Sequence, residues 1–323
     1  MIVKRKSLLA ACTLALAASF SVHAADYPSK PVKITVGFAP GGAADVLARQ
    51  VANKLQEQAG QTFIVENRPG ATGTIAANAT MQSAADGYSL MIASQSTMIM
   101  APILYNSVTI DTLKDFQPVS QLVNLPLVLV VHPEVKASTV DELLALTRST
   151  PMHYASSGAG GPQHSAAEYF KYLSKTEIDH VPYNGEATAL NDVLAGQVPM
   201  MFVNLPVVAQ HVKAGKLKAL AITSPERSRD LPDVPSITEV PGMEDFNVET
   251  WYGIFAPAGT PEAVVGQLES QLQKAMNSDE LQSKLNEQGF RIVGSSSKDF
   301  TAFIEKEIPR WTDLATSTNM KVD

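Results

Sequence analysis

The chain is almost without cysteine. Cys12 is the single one, and it falls in the first 24 residues, so a chain cut after Ala24 has none. Disulfides and thiol chemistry are excluded, and an oxidising compartment poses no difficulty. Excess positive charge is also missing. The formal net charge is −7, and loss of Lys4, Arg5 and Lys6 with a leader takes it to −10. An acidic chain is a poor partner for nucleic acid or anionic membranes, so neither is expected. If its ligand is an anion, attraction must be local, because the long-range field opposes it. Beyond the leader, no stretch is long and apolar enough to span a bilayer.

Catalytic signatures are lacking as well. There is no Gly-x-Ser-x-Gly elbow, no His-Glu-x-x-His and no glycine-rich loop ending in Gly-Lys-Ser/Thr. Gly158-Ala159-Gly160-Gly161-Pro162-Gln163 lacks the third glycine of a dinucleotide fingerprint. His132, His153, His164, His180 and His211 show no metal-type spacing. No catalysis, cofactor or metal is therefore expected. Asp230 and Asp233 read as solvated surface.

What is present begins with MIVKRKSLLAACTLALAASFSVHA, a basic start, an apolar run and small residues before Ala25. This pattern is a secretory signal peptide, residues 1–24. Leu9-Ala10-Ala11-Cys12 imitates a lipoprotein box, but Cys12 sits inside the apolar run and not at its end. The remaining 299 residues suffice for two domains or one large one, and an apolar content of 45% supports a proper core.

From Val32 short apolar runs alternate with amphipathic stretches. Strands are expected at Ile34–Phe38, Thr62–Glu66 and Ser89–Ser94, with helices at Asp45–Ala59 and Gly73–Ser83 between them. A second series has strands at Leu127–Val131, His153–Ser156, Asp179–Pro182, Met200–Asn204 and Leu217–Thr223. Its helices fall at Val140–Thr147, Ser165–Leu173, Thr188–Ala195 and Pro206–Ala214. Pro225–Gly242 is proline-rich and polar, hence a surface excursion. A strand at Trp251–Ala256 and helices at Pro261–Asn277, Asp279–Gln288 and Lys298–Thr316 finish the chain. The expected fold class is α/β, two lobes, each a mostly parallel sheet flanked by helices.

Two strand-to-helix turns are rich in glycine. The first, Phe38-Ala39-Pro40-Gly41-Gly42-Ala43-Ala44-Asp45, leaves several backbone N–H groups aimed at one point. Asp45 is read as a first-turn carboxylate that brace the turn and complements the helix dipole. The second is Ser156-Ser157-Gly158-Ala159-Gly160-Gly161, followed by His164; its serines are possible hydroxyl donors. Each loop taken alone is equally an ordinary turn of an α/β protein. No lysine or arginine lies between Lys33 and Arg49 or between Arg148 and Lys171, so neither loop carries a cationic clamp. That argues for a carboxylate over a polyphosphate. His164 reads first as a helix-start residue bonding the loop backbone, and second as a ligand contact. Tyr183, in a third strand-to-helix loop, either lines a cleft or packs, and Trp251 and Tyr252 read as core or hinge aromatics.

YPSKPVKITVGFAPGGAAD, ENRPGATGTIAAN, DGYSLMIAS, ASSGAGGPQH, HVPYNGEATALNDVLAGQVPMMF and WYGIFAPAGTP occur in this order behind a signal peptide. The combination resembles the Bug family of extracytoplasmic solute receptors, the substrate-binding components of tripartite tricarboxylate transporters. The resemblance implies a periplasmic two-lobed clamshell, with lobe 1 formed by residues 26–123 and 256–323 and lobe 2 by residues 124–255. It implies a ligand carboxylate held by backbone N–H groups and water from the loops Phe38–Asp45 and Ser156–His164, delivery to membrane transporter subunits, and a monomer. The ligand stays open among di- and tricarboxylates, aromatic diacids such as terephthalate and nicotinate-like acids. Glu186 and Asn184 depart from the family's usual glycine and lysine, and Gly161 replaces a frequent serine. Pro199 and Val203 stand where aspartates are usual, which suggests an apolar cleft wall suited to an aromatic or long aliphatic acid. Two rival functions remain: a receptor feeding a signalling partner, and an exported α/β hydrolase using His164 with Ser156 or Ser157.

Overall fold

The computed structural model describes residues 27–320; the expected signal peptide lies outside the described residues. In the first strand, β1 (Val32–Val36), Val32, Ile34, Thr35 and Val36 are all buried. A strand covered on both faces is the environment of a parallel sheet. Helix α1 (Ala43–Ala59) lines Leu47, Ala48, Val51, Ala52 and Leu55 along one buried stripe. It stops at Gly60, whose left-handed φ of 66° lets its N–H reach the Gln56 carbonyl at 3.0 Å. After β2 (Phe63–Asn67), α2 (Thr74–Met81) and β3 (Ser89–Ser94), β1 lies parallel between β2 and β3.

The long strand β4 (Phe116–Val131) leads to α3 (Val140–Thr147), β5 (Met152–Ser156), α4 (Pro162–Ser174), β6 (Ile178–Pro182), α5 (Glu186–Leu194) and β7 (Met200–Asn204). Here β5 lies parallel between β6 and β7. Then come α6 (Leu205–Lys213), β8 (Lys218–Ile222), β9 (Glu249–Pro257), α7 (Glu262–Met276), α8 (Asp279–Glu287), β10 (Arg291–Ile292) and α9 (Ser297–Ser317). The strand order is β2-β1-β3-β9-β4-β7-β5-β6, with β8 and β10 also on β4. Two parallel triplets, β2-β1-β3 and β6-β5-β7, are joined by strands that run antiparallel.

β4 is the joint. Phe116–Pro126 pairs with β9, whereas Leu127–Val131 pairs with β7 and, from Val128, with β8. The chain thus passes from the first sheet to the second at Pro126/Leu127 without leaving the strand. β9 pairs with β3 and with the first part of β4, so the whole of it belongs to the first sheet. Only the Leu127–Val131 part of β4 was expected, because Pro118 and Pro126 and the polar Ser120, Gln121 and Asn124 do not resemble a central strand. Register shifts between Pro118 and Ser120 and between Gln121 and Val123 absorb the irregularity.

Two other segments differ from expectation. Ser96–Met100 and Ala101–Leu104 form a continuous helical run; every residue of Ser96–Met100 is buried, so there is no polar face to mark a helical period. The Pro225–Gly242 excursion is not purely superficial, since Leu231, Val234, Ile237 and Val240 insert into the interior. The Ile222 N–H bonds the Pro235 carbonyl at 2.9 Å and Ser236 caps the following turn with Glu239, which anchors the segment.

One apolar core sits beneath α1, α7 and α8, and a second, around Val128, Leu190 and Val208, beneath α5 and α6. The third runs through both lobes, from Met91 and Phe255 to Tyr154, Phe170 and Phe202, and is closed by Phe300 and Trp311 of α9. Gly253 is the tightest point of this shared core. A Cβ there would overlap the Phe300 ring and stand 3.0 Å from the Ser120 carbonyl. Overpacking of this kind costs about 1–3 kcal/mol. Gly253→Ala is expected to lower the unfolding free energy by an amount in that range, read as a lower urea midpoint with the slope unchanged; an unshifted midpoint would show that the ring swings aside freely.

Candidate functional site

The first glycine turn leaves the C-terminal end of β1, where parallel sheets place their ligands. Ala39, Pro40, Gly41 and Gly42 are exposed. Gly41 has a φ of 85°, which favours glycine, whereas Gly42 is extended and caps α1 with backbone alone. The Val46 N–H is taken up by the Gly42 carbonyl at 3.0 Å, so the amides of Ala43 and Ala44 precede the helical ladder.

Asp45 braces the turn as expected. Its Oδ2 accepts from the Gly41 N–H at 2.9 Å and from Arg49 Nε at 3.0 Å, and its Oδ1 accepts from Asn67 Nδ2 at 2.9 Å. The same Asn67 nitrogen donates to the Phe38 carbonyl at 3.1 Å, tying both ends of the loop to β2. Burial works to raise the Asp45 pKa, but hydrogen bonds from Arg49, Gly41 and Asn67 and the Arg49 charge outweigh it and hold it at about 2. Arg49, the cation next along the chain, is thereby engaged by Asp45. Phe38 and Ala43 pack, half-buried, on the core beneath α1. The loop after β2, which was not expected in the site, lies against this turn: a Cβ on Gly37 would stand 2.7 Å from the Gly73 Cα. Ala71 and Thr72 hold left-handed backbone there, with φ of 45° and 54°.

The second loop is organised from within. The Gly158 N–H donates to Ser156 Oγ at 3.1 Å, the Gly161 N–H to the Gly158 carbonyl at 3.3 Å, and the Gly160 N–H to His164 Nδ1 at 3.0 Å. Ser157 Oγ donates to Gln163 Oε1 at 2.6 Å. Both serine hydroxyls are thus engaged inside the protein, and Ser156 is fully buried, so they serve as braces for the loop. Gly161 caps α4 without a side chain, and Pro162 follows it. Ala159 is half-buried. Gly160 comes up against the other lobe, where a Cβ would stand 2.9 Å from Leu104 Cδ1.

His164 takes the first of its two expected roles, bonding the loop backbone from a buried position. It stacks on His180 at 4.2 Å between centroids, and His180 stacks on Tyr154 at 4.9 Å. Burial first, and then the charges of His180 and Lys171, hold the His164 pKa at about 3. Burial likewise holds His180 at about 4, with the Glu168 charge opposing it and that of Lys171 adding to it. Both rings are neutral at pH 7 and bring no positive charge to the loop. Ser156 Oγ lies 2.6 Å from His180 Nε2, so its histidine partner is not His164. A fully buried serine is no nucleophile for an external substrate.

Tyr183 packs on the core beneath α5 and α6, and its hydroxyl donates to Asp192 Oδ2 at 2.7 Å. Val203 is fully buried in that core and pairs with Val128, so it is not a cleft wall. Glu186, in contrast, is tied to the second loop. Its Oε1 accepts from Gln163 Nε2 at 2.8 Å and from the Asn204 N–H at 2.8 Å. Asn204 Nδ2 donates to both carboxylate oxygens, at 3.0 and 2.9 Å. Gln163 and Asn204 were not singled out; Gln163 lies in the first turn of α4 within the second loop, and the one signal for Asn204 is its place at the C-terminal end of β7. Trp251 is buried in the shared core, as read, while Tyr252 is half-buried at the crossing.

Glycine loops at the C-terminal ends of two parallel strand groups, joined through β4 and β9, are the frame of a solute receptor of the periplasmic binding-protein class. The model of the tripartite tricarboxylate transporter family receptor matches residues 47–320, and the chain belongs to that family. The chain is 35% identical over 304 residues to protein BugT of Bordetella pertussis, covering 93% of each. Among solved structures it is similar to R. palustris Rpa4515 with adipate, at 33% identity and a TM-score of 0.79, covering 91% of this chain and 98% of that one. It is also similar to the periplasmic binding protein BugD, at 29% identity and a TM-score of 0.76, covering 91% and 99%. Family and neighbours are solute-binding proteins and not enzymes, which removes the hydrolase reading. No helix among the described residues is long and apolar enough to cross a membrane.

Because the folded Asp45 pKa lies below its ordinary value of 3.8, the ionised group stabilises the fold above that value. The contribution is lost as pH falls from about 4 through about 2. Asp45→Asn is expected to cost about 2 kcal/mol at pH 7 by the scale of 1.36 kcal/mol per unit. The gap between variant and wild type should close in denaturant titrations below pH 4; a gap independent of pH would assign the loss to packing.

Proposed function

We propose that this receptor captures a small organic carboxylate between its lobes and hands it to membrane transporter subunits of the tripartite tricarboxylate type. The observation that carries the reading is the pair of helix starts, at Gly42 and Gly161, that no side chain caps. They present backbone N–H groups and positive dipole ends, with Arg49 already engaged by Asp45. The adipate held by the R. palustris neighbour supports the same ligand class. On this reading the ligand contacts come from Phe38, Pro40–Ala44, Ala159 and Gly161, while Asp45, Ser156, Ser157, Gly158, Gly160, His164 and Tyr183 hold the loops in place. The lobes are the two sides of the crossings at Pro126/Leu127 and ahead of Glu249. The protein acts as a monomer in the periplasm. Closure is a population shift, so the ligand favours it only by touching both lobes.

The test is thermal unfolding against a carboxylate panel, followed by calorimetry on the acids that act. A ligand at a hundredfold excess over its Kd stabilises by about 2.7 kcal/mol, enough for a shift of a few degrees. Gly42→Val should abolish that shift with the apo midpoint retained, because a Cβ at Gly42 meets nothing nearer than the Ala39 carbonyl at 3.7 Å. Retained affinity would sink the assignment of this turn.

Affinity for a fully ionised acid should also be flat between pH 5 and 8. The histidines under the second loop, with pKa values of about 3 and about 4, stay neutral across that window. Binding that tightens several-fold towards pH 5 would show a histidine charging at the ligand.

A further inference from the structure

Glu186 opens α5 after Gly185, whose φ of 115° places the carboxylate where a residue with a Cβ at 185 would not readily turn it. The carboxylate fills a prepared cradle. Its donors are the Asn204 N–H, Asn204 Nδ2 and Gln163 Nε2, all within 2.8–3.0 Å. Each amide is oriented from behind. Ser157 Oγ donates to Gln163 Oε1 at 2.6 Å and Thr250 Oγ1 to Asn204 Oδ1 at 3.4 Å, which leaves both NH2 groups for the carboxylate. The cradle therefore links the second glycine loop, the end of β7 and β9 of the first sheet. Glu186 is half-buried. Tyr252 stands within its field from β9: burial, and after it the Glu186 charge, push the tyrosine hydroxyl's pKa up. Tyr252 packs on the same core as Phe38 and Ala43 of the first turn. The carboxylate thus lies against the second glycine loop and within the field of Tyr252 on the first sheet.

Resting on the reading that the cleft holds a carboxylate, we propose that Glu186 sets specificity: it occupies the lobe-2 donor set that a second ligand carboxylate would need. A dicarboxylate meets a filled cradle and a like charge. Glu186 Oε2 receives a single bond, from Asn204 Nδ2, and so keeps capacity to accept from a hydroxyl or ammonium at the ligand's far end. The receptor is selective for acids with one carboxylate and a hydrogen-bond donor at the other end.

Three length-matched pairs test this by calorimetry on the purified protein: succinate with 4-hydroxybutyrate, adipate with 6-hydroxyhexanoate, and terephthalate with 4-(hydroxymethyl)benzoate. The wild type is expected to favour the hydroxy acid at least tenfold in whichever pair binds. Glu186→Gln, which keeps an acceptor oxygen for Asn204 and Gln163, should reduce that ratio at least tenfold, and Glu186→Gly, which empties the cradle, should reverse it. Wild-type preference for the dicarboxylate, or a ratio that neither variant moves, overturns the role of Glu186 and leaves the receptor reading intact. Silence of the wild type and both variants towards all six acids counts against the receptor reading itself and takes this inference with it. If neither variant folds, the wild-type ratio alone decides.

Discussion

A strand that belongs to two sheets must satisfy both, and β4 carries that constraint here. Its backbone is paired with β9 and β10 before Pro126 and with β7 and β8 after it. Because the hydrogen-bonding groups of a buried strand must all be met, neither lobe can form its sheet independently of where the other stands. The register shifts near Pro118 and Gln121 let the strand keep its pairing with β9 through an irregular stretch of sequence. The C-terminal ends of the other strands are positioned by this one piece of chain. The shared core closed by α9 makes the joint a packed structure and not a flexible linker.

On that frame the site is made mostly of backbone. The overall charge is negative, and the groups that could bring positive charge to the loops are silenced in place: Arg49 is paired with Asp45, and His164 and His180 are kept neutral by burial. What remains aimed outwards is the set of N–H groups at two helix starts, whose orientation costs no reorganisation when a carboxylate arrives. A site of this kind depends on rigid surroundings. Asp45, Asn67, Gln163 and Asn204 supply the rigidity from positions behind the loops.

Much of this was legible in the linear pattern. The β-α-β alternation, the glycine turns and the absence of nearby cations pointed to two lobes and a carboxylate, and the order of motifs pointed to the family. The bracing role of Asp45 could be anticipated because the partner is local, four residues from Gly41. Long-range partners could not. His180 is 24 residues from Ser156, and its stacking on His164 depends on β5 and β6 being neighbours. Val203 was mistaken for a cleft wall because strand alternation alone does not say which face a helix covers. The first half of β4 was missed because its prolines contradict local propensity, which the pairing on both sides overrides.

The sequence by itself determined the elements that rest on local physics: hydrophobic period, helix ends at glycine, and turns with free amides. These need nothing beyond a few residues of neighbouring chain. Tertiary structure alone decided which polar groups stay available. Ser156, Ser157 and Glu186 are all plausible contacts in a linear reading. Two became braces and the third filled a donor cradle, because the strands that carry Gln163, His180 and Asn204 arrive from other parts of the chain. Availability is a property of what remains unsatisfied once every buried partner has been found, and that sum closes only in the folded molecule.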